Sequence, residues 1–127
     1  MNHKSKQIFL YRILFCIAIS IITYLATTEQ SYPVISNFND KFSHVFAFLV
    51  LAFLADFSFP EYSYNYYKIT ALFGYGVLIE IIQYFIPNRQ FSFYDMLADL
   101  IGLMLYMLLL PVIKKIPIIK ERWESDS

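Results

Sequence analysis

The chain has 127 residues, of which 58% are hydrophobic, 20% aromatic and 16% charged, with a mean hydropathy of +0.51; a soluble domain carries about 25% charged residues, so this composition is that of one compact integral membrane unit. Formal net charge is zero, which removes the electrostatic footprint of a nucleic-acid binder, and the one cysteine, Cys16, has no partner for an internal disulfide. The sequence also lacks an internal repeat, a glycine-rich phosphate loop and a Cys/His zinc pattern.

The first run, residues 8–26, is apolar apart from Arg12. Its length matches the ~20 residues needed to cross hydrocarbon, and Arg12 lies near enough to the run's start to reach the headgroups. Lys4 and Lys6 ahead of it also suit a signal peptide, but the run is long and Tyr24-Leu25-Ala26-Thr27 makes a poor small-x-small cleavage site. The expectation is a retained first helix, with Cys16 a small apolar residue on it.

Residues 27–40 read as a polar, proline-containing loop, after which Asn39 or Asp40 can cap the next helix by accepting an unpaired backbone N–H. The second run, 42–59, carries His44 near its start and Asp56 near its end, and Pro60 stops it. Asp56 lies so close to the membrane boundary that it receives no functional reading. Tyr62, Tyr64, Tyr66 and Tyr67 then crowd a short connection, as expected of rings seated at headgroup level. The third run, 69–86, holds Glu80 and Gln83; the turn Pro87-Asn88-Arg89-Gln90 follows; the fourth run, 93–113, holds Asp95 and Asp99. Beyond it the tail is basic, then acidic, with Trp123 suited to an interfacial anchor.

These runs predict an all-α integral membrane protein: residues 1–127 form a single domain of four transmembrane helices. The ten Lys and Arg residues set its orientation. With both termini cytoplasmic, Lys4, Lys6, Arg12, Lys68, Lys114, Lys115, Lys120 and Arg122 lie inside, and only Lys41 and Arg89 lie outside.

That topology gathers the start of the second helix, the end of the third and the start of the fourth at the outer surface, where nearly all the intramembrane polar residues sit. At ~1.5 Å rise per residue, Glu80 and Asp99 each lie about 9 Å deep, and His44, Gln83 and Asp95 roughly 3 to 5 Å deep. Asp40, Lys41 and Arg89 form the rim. Residues three or four apart share a helix face, which groups Asp40 with His44, Gly76 with Glu80 and Gln83, and Asp95 with Asp99, Gly102 and Tyr106. Small residues on these stripes allow close helix approach, so the polar stripes are expected to face one another.

Four carboxylates, Asp40, Glu80, Asp95 and Asp99, then stand against Lys41, Arg89 and His44. Two carboxylates at one depth in a low dielectric do not both ionise readily, so Glu80 and Asp99 are expected to share a proton or to hold a cation between them. The two helix N-termini near Asp40 and Ser92 add positive dipole ends suited to a phosphate or carboxylate. Structural readings stay open: Ser92-x-x-Asp95 fits a capping box, Asp40 a simple cap, His44 a buried hydrogen-bonder and Arg89 an ion-pair partner of Asp95.

Several of these pieces occur in the same order in a known family. Asp40-Lys41-x-x-His44 followed by Phe46 and Phe48, then Glu80-x-x-Gln83-x-Phe85-x-Pro87-x-Arg89, then Ser92-x-x-Asp95 and Gly102 resemble the VanZ-like family of small bacterial membrane proteins, named for a protein associated with teicoplanin resistance. The pattern departs from the family at Asp99, where Asn is usual, and at Tyr106, near which a small residue, commonly Gly, is usual. Asn could donate to Glu80 without adding charge, whereas Asp99 does so only when protonated or bound to a cation. The resemblance implies a multi-pass protein of the bacterial cytoplasmic membrane with a cell-envelope role connected with glycopeptide resistance.

Three functions are compatible with these residues. A binding or handling protein for an amphiphile, such as a lipid-linked cell-wall intermediate or a lipoglycopeptide, suits a site open at headgroup depth. A metal-assisted enzyme acting on such a headgroup could draw ligands from Asp40, His44, Asp95 and Asp99, with Glu80 as base and a divalent cation as cofactor. Proton or ion coupling through Glu80 and Asp99 has least behind it, since transport needs polar groups through the full thickness and the inner half offers Asp56 alone. A homodimer could form on the Gly74-x-Gly76 surface.

Overall fold

A computed structural model describes residues 3–27, 37–62, 64, 66–87 and 93–116, with the side chains of residues 37–40 excepted. The chain forms four α-helices: α1 (His3–Thr27), α2 (Asn37–Ser58), α3 (Tyr66–Tyr84) and α4 (Phe93–Ile113). α1 and α2 both begin about one turn before their apolar runs, because polar residues such as Lys4 and Lys6 can still complete helical hydrogen bonds. α3 stops short of its run's end. Phe85 N–H bonds to Ile82 O (3.0 Å) and Ile86 N–H to Gln83 O (3.1 Å), a tightening of the last turn before Pro87, which disfavours helical backbone in the residue ahead of it.

The helices run alternately up and down. At one end, here the distal end, α1 and α3 finish and α2 and α4 begin; Gln83 Nε2 of α3 donates to the Ala26 carbonyl of α1 at 2.8 Å. At the proximal end, Arg12 Nε of α1 donates to the Ser58 carbonyl of α2 at 2.8 Å. Arg12 also faces Glu61 at 3.6 Å and lies over the Phe59 ring. The half-exposed Arg12 guanidinium thus also serves the C-terminus of α2, whose last carbonyls lack helical donors.

α2 is the central helix, and its Phe48, Leu51, Ala52 and Ala55 form the core with Leu72 of α3 and Leu103 and Tyr106 of α4. Gly102 makes this possible: a Cβ there would run into the carbonyl of Val45 and approach Leu49 N at 3.1 Å. The small residue on the carboxylate stripe thus serves the close approach expected of it.

Polarity is inverted relative to a water-soluble bundle. Phe9, Leu10, Ile13, Leu14, Ile17 and Ile21 of α1 are exposed, as are Leu97, Ile101, Leu108 and Val112 of α4, while Asp56, Glu80, Gln83, Asp95 and Asp99 are buried. That is the partition expected when the surroundings are hydrocarbon. α1, residues 41–58 of α2, and α4 are each long and apolar enough to cross a membrane. α3 falls outside that group on composition, because Lys68, Glu80 and Gln83 lie along it.

Candidate functional site

The distal end brings α2, α3 and α4 together through their first or last turns. Lys41 Nζ pairs with Asp95 Oδ1 across the α2–α4 seam. One turn deeper, His44 Nδ1 and Asp99 Oδ1 lie 2.8 Å apart, and His44 Nε2 faces Asp95 Oδ2 at 3.7 Å. The i, i+4 spacing of Asp95 and Asp99 places both beside His44.

α3 completes the cluster from the other side. Glu80 is fully buried at 0% exposure and makes a side-chain hydrogen bond with Asp95, while its Oε1 receives no hydrogen bond among the described residues. Two carboxyl groups bonded to each other hold one proton between them. Gly76, one turn before Glu80, lets α3 close onto Asp99: a Cβ there would lie 2.6 Å from Asp99 Oδ2 and 3.0 Å from Phe48.

Of the residues singled out from sequence, Lys41, His44, Glu80, Asp95 and Asp99 therefore converge. Gln83 is buried at the same end but directs its amide nitrogen to α1, where it satisfies a carbonyl of that helix's last turn. Arg89, Ser92 and the Asp40 side chain lie outside the described residues. Among the described groups, the carboxyls of Glu80, Asp95 and Asp99 stand against Lys41 and one imidazole. At 2% and 6% exposure for Asp99 and Asp95, a low dielectric makes such an imbalance costly unless a proton or cation offsets it. Among the described residues, His44, Glu80 and Asp95 could hold a metal, since each offers a donor atom within reach of the other two. Lys41 and His44 are only partly buried, so the cluster opens at its rim.

A second polar network, at the proximal end, was not readable from the sequence. Asp56, 1% exposed, accepts from Lys68 Nζ at 3.0 Å and from Tyr106 OH at 2.7 Å. Lys68 also donates to the carbonyls of Phe59 (3.0 Å) and Tyr62 (2.7 Å), capping α2 across the Pro60 turn. Tyr64, grouped by sequence with the headgroup tyrosines, instead reaches inward to donate to Leu103 O at 2.8 Å and packs edge-on against Tyr106. Burial and the Asp56 carboxylate push the Tyr64 phenol above its ordinary range, so it remains a neutral donor. The available signal was Tyr106 continuing the Asp99–Gly102 stripe toward the other end.

Between the two networks lies an apolar layer of Phe48, Leu51, Ala52 and Leu103, all buried.

The family model described as VanZ/LLP1 matches residues 3–114. The chain belongs to this family. The match covers all four helices, and with them the VanZ/LLP1 chain's distal cluster and its proximal network. No curated protein and no solved structure matches the chain.

Proposed function

We propose that this VanZ/LLP1 protein is a cell-envelope membrane protein that binds the headgroup of an amphiphile, a lipid-linked cell-wall intermediate or a lipoglycopeptide, at the outer leaflet. In this reading all four helices cross the cytoplasmic membrane of a bacterium, both termini are cytoplasmic, and the distal cluster faces outward. α3 crosses with Gly76 and Glu80 turned toward α2 and α4, and with Leu78, Ile81 and Ile82 on the exposed side, toward lipid. A role in glycopeptide resistance of the teicoplanin kind is part of the same proposal.

The observation that carries this reading is the graded cluster itself: Lys41 and His44, partly exposed, stand over the buried Glu80, Asp95 and Asp99 within about two turns of the distal ends of α2, α3 and α4. That is headgroup depth. Helix packing does not require three carboxyls there, and ionisable groups held at such depth ordinarily mark a ligand path.

Native mass spectrometry of the detergent-extracted protein tests it. Co-purifying lipid is expected with the wild type and is expected to be lost from His44→Ala and Arg89→Ala. Identical lipid on all three proteins would contradict the proposal. A metal-assisted enzyme acting on the same headgroup is a second reading, favoured by the His44, Glu80 and Asp95 geometry; turnover of a lipid pyrophosphate that stops on Glu80→Gln supports it. Ion transport is supported least, because the buried apolar layer of Phe48, Leu51 and Leu103 separates the two polar ends.

A further inference from the structure

One donor atom from each of His44 (α2), Glu80 (α3) and Asp95 (α4) lies within 4.8 Å of the other two. Ligands on one small divalent ion, bonded at about 2.0–2.2 Å, sit up to ~4.2 Å apart, so rotations of under about an ångström bring the three into one coordination sphere. The details of each side chain favour this. Asp95 divides its oxygens, with Oδ1 paired to Lys41 and Oδ2 facing His44 Nε2 at 3.7 Å. That gap is too long for a hydrogen bond and close to the separation of two ligands sharing a metal. Asp99 occupies the other ring nitrogen, Nδ1, at 2.8 Å. An Nδ1–H donated to Asp99 puts the lone pair on Nε2, which is how a carboxylate behind a metal-ligating histidine orients it.

Charge points the same way. With the proton between Glu80 and Asp95 removed, three carboxylates face the Lys41 ammonium and the His44 ring. A divalent ion added to Lys41 balances them with His44 neutral. A hydrogen-bonded carboxyl pair such as Glu80 and Asp95 is also what remains when a proton stands where a metal can bind.

We propose that His44, Glu80 and Asp95 bind one divalent cation of the zinc or manganese class, with Asp99 as the residue that positions His44. The imidazole donor selects this class over magnesium or calcium, which prefer all-oxygen sites. Three protein ligands leave coordination positions free toward the Lys41 rim. A headgroup phosphate oxygen would take one, and that last step alone rests on the headgroup reading.

The test uses tag-free, delipidated protein in detergent, stripped with chelator and titrated with Zn²⁺. It is done in a His3→Gln background, because His3 is the other histidine. One Zn²⁺ per chain is expected, with affinity falling at least about tenfold in His44→Gln and in Glu80→Gln, at unchanged helix content. Asp99→Asn is expected to weaken binding less than either. X-ray absorption on the zinc-loaded parent, which needs no further variant to fold, should show one imidazole with oxygen ligands at about 2.0–2.2 Å. Sulfur scattering at about 2.3 Å, from Cys16, would overturn the proposal, as would stoichiometry and affinity unchanged in both variants. Because lipid is absent, failure here removes the cation without touching the lipid co-purification result.

Discussion

The two ends of the bundle each bury acidic side chains between α2 and α4, yet they are built on different principles. At the proximal end the buried carboxylate among the described residues, Asp56, meets the Lys68 ammonium and the Tyr106 phenol, and Lys68 also donates to the Phe59 and Tyr62 carbonyls. Charge is matched, and the bonds fasten the end of α2 to the start of α3. At the distal end, among the described residues, three carboxyls share one lysine and one histidine through bonds that run from side chain to side chain. Burial alone therefore does not mark a binding site. Charge balance, and whether the bonds satisfy backbone groups, separates a staple from a site.

Substitutions at the two ends sharpen that contrast. Asp56→Ala leaves the partly buried Lys68 without its carboxylate and Tyr106 without its acceptor; breaking a buried pair this way costs about 3–5 kcal/mol, the largest loss expected, measured as denaturant or thermal unfolding in detergent. Gly102→Val drives a side chain into the Val45 carbonyl and is expected to cost about 1–3 kcal/mol through overpacking of the α2–α4 seam. Gln83→Ala removes one hydrogen bond to the end of α1 and should cost about 1 kcal/mol, with lipid binding retained. Glu80→Gln is expected to change stability by less than about 1 kcal/mol, since the amide can donate to Asp95 where the shared proton now lies, while weakening zinc binding at least about tenfold. A Glu80→Gln protein as unstable as Asp56→Ala would erase the distinction between the ends.

Much of the distal end was readable in advance because its signal is local. Polar residues at i, i+3 and i+4 within apolar runs define a face, and Gly76 and Gly102 on those faces marked where helices could touch; the structure puts both glycines at such contacts. The proximal network escaped because its members resemble ordinary interfacial residues. Lys68 and Arg12 read as positive charges near a membrane boundary, and Tyr64 as one ring in a belt; only the fold turns each toward a carbonyl or carboxylate. Gln83 shared a stripe with Glu80, yet the end of α1 lies nearer to its amide than the carboxyl cluster does, a relation between helices that spacing within one helix does not encode.

Accessibility labelling of single cysteines in a Cys16→Ser background tests the central claim most directly, that the distal cluster opens outside the cell on the opposite side from the termini. With a membrane-impermeant maleimide on whole cells, cysteines replacing Lys41 and Gln90 should react and one replacing Lys115 should react only after permeabilisation. Positions 41 and 90 reacting from opposite sides of the membrane, or both only after permeabilisation, would contradict it.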